Sequence, residues 1–220
     1  MEHRKPQSVS SKLNVEKQKT FIESYQELQK TLQDNEVVMF VDAVHPTHKA
    51  RPVGCWAPKE SKIAIDQTSG RERLHIHGAV NLETGKTKMI DVTTVDAQST
   101  ISLLLAIELM YPAVILIHVF LDNARYHHAK LVQEWLSMPG RRIKLHFIPA
   151  YSPHLNPIER LWLVMHKHIT HNKCYSSYKD FCEAILGFLR DDVPKEWAAL
   201  CDGVTDNFRI IAPENFRILR

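Results

Sequence analysis

The chain has 220 residues, 44% of them hydrophobic and 24% charged, with a net charge of +3; that is apolar material for one globular domain with some additions. No apolar run approaches the roughly 18–20 residues that cross a bilayer, and the opening MEHRKPQSVSSKLNVEK lacks the apolar core of a secretion signal, so a cytoplasmic protein with no membrane partner is expected. Four scattered cysteines (Cys55, Cys174, Cys182, Cys201) without a CxxC pair argue against a disulfide framework or a zinc knuckle.

Residues 1–12 are polar and read as a flexible lead. From Asn14 to about Gln33, Phe21, Tyr25, Leu28 and Leu32 recur at helical spacing, predicting an amphipathic helix capped by Asn14. VVMFVD (37–42) is a buried strand ending in an acid. ARPVGCWAP (50–58) reads as its returning antiparallel strand. RLHIHGAVN (73–81), the turn LETG and KTKMIDV (86–92) form a hairpin. Asp96 caps a helix running to about Met110, with Ile101, Leu104, Leu105 and Leu109 expected inward and Pro112 ending it.

VILIHVFLD (114–122) is the most hydrophobic run and again closes on an aspartate. A helix at about 126–137 and a strand at 143–148 follow. FIPAYSPHLNPIERLW (147–162) then turns into a helix from about Asn156 to His171, with Asn156 as cap and Pro157 at the first helical position. Ser177 caps a last helix over 178–190 with Phe181, Ile185 and Leu189 inward, before an irregular tail. The order predicts a mixed sheet flanked by helices: three or four antiparallel strands first, then parallel ones joined by helical crossovers.

Asp42 and Asp122 each finish a buried strand, and ligands gather at the carboxyl ends of strands in open α/β sheets. Glu159, in the first turn of the helix after the third such strand, can reach the same edge. Three convergent carboxylates repel one another unless a cation lies between them, and few, hard oxygen ligands describe a Mg²⁺ or Mn²⁺ site. Around Glu159, between Arg141 and Lys173, stand six Lys/Arg and five His, a field suited to a polyanion. The duller alternative is ordinary strand-ending acids and a solvated basic face. His75 and His77 share a strand face, but no third ligand stands at a zinc-like spacing. Trp56 and Trp162 read as core, as do Met39 and Met165.

FVD (40–42) with GCW (54–56) downstream, FLDNARYHHAKLV (120–132) and IPAYSPHLNPIERLW (148–162), with thirty-six residues between Asp122 and Glu159, closely resemble the DDE transposases of the mariner superfamily, in its bacterial insertion-sequence branch. The resemblance spans residues 36–220. It implies a ribonuclease-H-like α/β fold with a mixed five-stranded sheet, a catalytic triad of Asp42, Asp122 and Glu159 holding two Mg²⁺ or Mn²⁺ ions, and cut-and-paste transposition into TA targets by a dimer bridging two transposon ends. By the same resemblance Asn123 and His127 support the metal site or contact DNA, and Pro153, Asn156 and Pro157 aim Glu159. Arg125, Tyr126, His128, Arg160, Lys167 and His171 are weaker candidates for phosphate contact.

Transposases of this type also carry amino-terminal helix-turn-helix modules, for which residues 1–35, a linker and one amphipathic helix, are too short. The chain therefore reads as a catalytic fragment, or as half of a split gene whose DNA-reading part is a separate polypeptide. Alone it is expected to bind DNA weakly, with strong salt dependence and little sequence preference. Two rival readings remain at this stage: a ribonuclease-H-like nuclease or resolvase, and a catalytically decayed DNA-binding module.

Overall fold

The two most apolar runs lie side by side. Strand β1 (Glu36–Val44) runs parallel to β4 (Leu116–Leu121), with Met39 opposite Val119 and Phe40 opposite Phe120. The computed structural model describes residues 10, 12–67, 70–212 and 214, so the polar lead at 1–9 and the end at 215–220 lie outside the described residues. β2 (Ile76–Val80) and β3 (Thr87–Asp91) form the expected hairpin on the other side of β1, and β5 (Ile143–Phe147) adds parallel to β4. The mixed five-stranded sheet has the order β3-β2-β1-β4-β5.

Side-chain alternation divides the core. Val37, Met39 and Val41 of β1, with Ile117, Val119 and Leu121 of β4, face helices α2 (Ala97–Met110) and α3 (Lys130–Leu136). Phe40 and Phe120 face the opposite way. They meet α1 (Val15–Thr31), α4 (Ile158–Met165) and α5 (Tyr178–Gly187) through Phe21, Tyr25, Ile158, Leu161, Trp162 and Phe181. Asn14 and Ser177 cap as predicted, and Asp96 forms a reciprocal capping box with Ser99. The helix α1 docks by packing Phe21 and Tyr25 edge-on against Phe120; each such buried ring is worth about 1.5–3 kcal/mol.

Several expectations need correction. Residues 50–58 are not a strand. The free edge of β1 on that side is taken by β2, with Asp42 opposite Gly78, and Pro52 and Pro58 lack the N–H that a ladder needs. In place of a ladder, this segment has an isolated bridge from Arg51 to His171 and a hydrogen bond from the Val53 amide to Asn172. Trp56, expected in the core, is fully exposed at 103%. In α2, Leu105 and Leu109 face solvent while Leu103 and Ile107 are buried; a helix apolar nearly all round carries little information about which side faces in. Pro157, not Asn156, occupies the cap position of α4.

The basic field between Arg141 and Lys173 is also only partly a field. Arg141 pairs with the buried Glu108 at 2.6 Å, and the Arg142 side chain donates to the carbonyls of Glu108, Tyr111 and Val114. Arg160 donates to the carbonyls of His154 and Thr205. Lys173 donates to the His168 carbonyl, so four of the six cations are engaged within the fold itself, three on backbone carbonyls and Arg141 on Glu108.

Candidate active site

The alternation that turns Phe40 and Phe120 toward α4 continues two residues on, to Asp42 and, just past the end of β4, to Asp122. Their parallel, in-register strands bring both to one end of the sheet. β5 then leads into the Tyr151–Asn156 turn, where Tyr151 takes a left-handed backbone (φ 63°), a conformation that costs of order 1 kcal/mol or more in a non-glycine residue. A short 3₁₀ turn at Pro153–Leu155 follows, and Asn156 is buried with its side-chain amide donating to the Val41 carbonyl at 3.0 Å. Asn156 thus acts by tying the start of α4 to the residue before Asp42. Glu159, in the first turn of α4, consequently opens onto the same cavity of about 330 Å³ as Asp42 and Asp122, with Asn123, Ser152 and Asn156 in its walls. A second cavity of about 430 Å³ shares the wall formed by Asn123 and Ile148–Ala150 and extends to α1.

The three acids feel one another but are held differently. Burial, then the Glu159 charge, push the Asp42 carboxyl up to about 7, although hydrogen bonds from the Trp162 indole and the Ala43 amide oppose the shift. Glu159 is raised by burial and by Asp122. Asp122 goes the other way: His127 Nε2, 3.2 Å from its Oδ1, holds it below the usual carboxylate range. His127 is itself buried, with Nδ1 3.4 Å from Thr100 Oγ1, and Thr100 donates onward to the Asp96 carbonyl. The site therefore pairs one acid held in its ionised form with two whose ionisation is disfavoured by burial and by neighbouring acids.

Among the described residues no three His, Cys, Asp or Glu side chains stand close enough to clasp a single ion. Two ions about 3.5–4 Å apart spread their ligands over a wider space than one ion does. Hard carboxylate oxygens lining one open cavity, two of them raised in pKa by burial and neighbouring acids, fit divalent cations of the Mg²⁺ or Mn²⁺ kind.

The remaining sequence candidates fall around this cavity in different ways. Asn123 is exposed on its wall, and its Oδ1 accepts from His128 Nε2 at 2.5 Å. Arg125 is exposed on the 3₁₀ turn after β4, and Lys167 is exposed on the π turn that continues α4. Arg160 is engaged with the chain's own carbonyls as described. Two contributors escaped the sequence reading, Trp162 as an acid's partner and Thr100, while Tyr126 stands there only as a weaker candidate for phosphate contact. Trp162 is buried as expected, but its Nε1 donates to Asp42 Oδ2 at 2.8 Å. Thr100 backs His127. Tyr126 has its hydroxyl pushed up by burial and by the charges of Asp122 and Asp42. Only Trp162 left a signal: a buried indole N–H needs an acceptor, and a residue three after Glu159 shares its helix face.

Acids at the carboxyl ends of the two central parallel strands of a β3-β2-β1-β4-β5 sheet, with a third from the helix after β5, define a ribonuclease-H-like domain. Residues 7–182 match the family model described as DDE superfamily endonuclease, and the chain belongs to that family. It is similar to the insertion element IS630 uncharacterized 39 kDa protein of Shigella sonnei, with 28% identity over 139 residues, 63% of this chain and 40% of that protein. The chain thus spans well under half the length of this relative. Among solved structures it is similar to the Mos1 strand transfer complex (14% identity, TM-score 0.65, 95% of this chain and 68% of that one). It is also similar to the catalytic domain of Mos1 mariner transposase (16% identity, TM-score 0.53, 94% of this chain and all of that one). At such identities these structures speak for the fold, which is the ribonuclease-H-like fold anticipated from the sequence. No helix among the described residues is long and apolar enough to cross a membrane.

Proposed function

We propose that this chain is the catalytic domain of an insertion-sequence transposase, cutting DNA strands at the element's ends and transferring them to target DNA. Asp42, Asp122 and Glu159 hold two divalent ions, Mg²⁺ or Mn²⁺. The observation that carries this reading is the convergence of three acids from β1, β4 and α4 on one cavity, two of them with raised pKa values. Bound there, the ions would draw charge from the scissile phosphate and make water or a DNA 3′-hydroxyl a competent nucleophile.

The chain's own residues set the stage for that chemistry. His127 keeps Asp122 ionised. Asn156 fixes the start of α4, and with it Glu159, relative to β1. Asn123, Arg125 and Lys167, all exposed, are available to sugar and phosphate oxygens; such contacts position DNA without reading its sequence. Mos1 has been solved as a paired-end complex with the left transposon end and as paired-end complexes with Mn and with Mg, which supports the same partners here. The reading extends to cut-and-paste movement into TA targets by a homodimer, with terminal-repeat recognition supplied by a separate DNA-binding segment or polypeptide.

The test is a cleavage and strand-transfer assay on duplexes carrying the ends of the encoding element, in Mn²⁺. Asp42→Asn, Asp122→Asn and Glu159→Gln should each abolish both products in a folded protein. Activity retained by any one variant removes that acid from the site. Cleavage of RNA–DNA hybrids without strand transfer would replace the transposase reading by the nuclease one.

A further inference from the structure

One helical turn of α4 separates Glu159 from Trp162, so both side chains leave the same face of the helix. Trp162 is 3% exposed, and its Nε1 lies 2.8 Å from Asp42 Oδ2. The far edge of the indole comes down on Gly78, the β2 residue directly opposite Asp42 in the sheet. A Cβ at Gly78 would sit 2.6 Å from Trp162 Cη2 and 2.5 Å from Met89 Sδ, closer than packed atoms tolerate. The sheet is therefore bare where the ring must lie for its N–H to reach the acid. A core position filled for bulk alone needs neither the donor nor that bare patch beneath it.

We infer that Trp162 is a positioning residue: its indole N–H engages Asp42 Oδ2, fixing the carboxylate so that Oδ1 is presented to the cation, while Gly78 gives the ring its seat. One helix then supplies an acid of its own and orients the acid of the neighbouring strand. Groups that orient a metal ligand typically change metal affinity 10–100-fold when removed. The inference rests on Asp42 being a metal ligand, and the experiment separates the two.

Mn²⁺ binding to the full chain is measured by calorimetry and by the electron paramagnetic resonance signal of free Mn²⁺, without DNA. Three variants are compared with wild type: Asp42→Asn, Trp162→Phe, and Trp162 replaced by benzothienylalanine, which keeps the bicyclic shape and exchanges the N–H for sulfur. Loss of the donor should weaken Mn²⁺ binding about 10–100-fold with the metal-free circular dichroism unchanged for the isosteric variant. In cleavage assays the metal concentration for half-maximal rate should rise by the same factor, with the rate largely recovered at saturating Mn²⁺. Gly78→Ala, by lifting the ring, should weaken Mn²⁺ in the same direction. If Asp42→Asn loses Mn²⁺ but the folded isosteric variant binds it as wild type does, the positioning role is refuted and the metal site stands. If Asp42→Asn binds Mn²⁺ as wild type does, both fall.

Discussion

Asp42 is costly to the metal-free protein, and the cost has a definite pH signature. Burial and the neighbouring Glu159 raise its carboxyl from 3.8 to about 7, so the folded state holds this proton more tightly than the unfolded chain does. Stability contributed by that proton is complete below about pH 4, declines as pH rises, and is gone above about pH 7. Roughly three pKa units at about 1.4 kcal/mol each set a ceiling near 4 kcal/mol; water entering the open cavity reduces the expected loss to about 2 kcal/mol. Asp42→Asn stays neutral at every pH, and its carbonyl can still accept from Trp162. In chelator, the variant should match wild type near pH 4 and exceed it by about 2 kcal/mol at pH 8, or about 4–8 °C in Tm for a chain of this size. Contributions from Asp122 and much of that from Glu159 are common to both proteins and cancel in the difference. Urea denaturation at the two pH values reads the effect directly. A variant that is less stable than wild type at pH 8, or offset equally at both pH values, would refute the electrostatic account of the site. Millimolar Mn²⁺ should reverse the order, because only wild type gains RT ln(1 + [Mn²⁺]/Kd), about 2.7 kcal/mol at a hundred times Kd.

His127→Phe keeps a ring behind Asp122 but removes the hydrogen bond that depresses its pKa; the acid limb of the pH–rate profile should move to higher pH and the rate fall about 10–100-fold. Gly85→Ala should cost at least about 2 kcal/mol in urea melts, since Gly85 has φ 68° and its Cβ would lie 2.4 Å from Trp197 Cγ. Glu108→Ala should cost about 3–5 kcal/mol in Tm-derived stability, because it strips the buried partner from Arg141 and from the Arg142 amide.

The fold was legible where local pattern and tertiary environment agree. β1 and β4 are short apolar runs buried on both faces, and the β2–β3 hairpin is announced by Glu83–Gly85, where Gly85 supplies the positive φ of the turn. Caps at Asn14, Asp96 and Ser177 were readable because a cap is a contact within three residues. Errors arose where the deciding contact is remote. Nothing local in 50–58 tells that β2, Ile76–Val80 further along the chain, will occupy the edge of β1. Leu105 and Leu109 are as apolar as Leu103 and Ile107, and only the position of the sheet beneath α2 separates them.

The candidate site divides along the same line. Asp42 lies near the carboxyl end of β1, which runs on to Val44, Asp122 just past β4 and Glu159 in the first turn of α4, so their convergence follows once the strands are parallel and adjacent. The groups that govern their charge come from other elements: His127 from the turn after β4, Thr100 from α2, Trp162 from one turn further along α4. Thr100 reads alone as an ordinary helix residue and Trp162 as core, and only the family resemblance points to His127; their partners are fixed by packing between elements. The six-cation field is reduced for the opposite reason. Proximity in sequence suggested a common target, yet Arg141, Arg142 and Arg160 satisfy buried carbonyls and Glu108, because an arginine beside unpaired backbone acceptors is worth more there than on a solvated face. Electrostatic reasoning from sequence thus holds for acids whose position is fixed by strand ends, and weakens for long cations whose reach lets the fold claim them first.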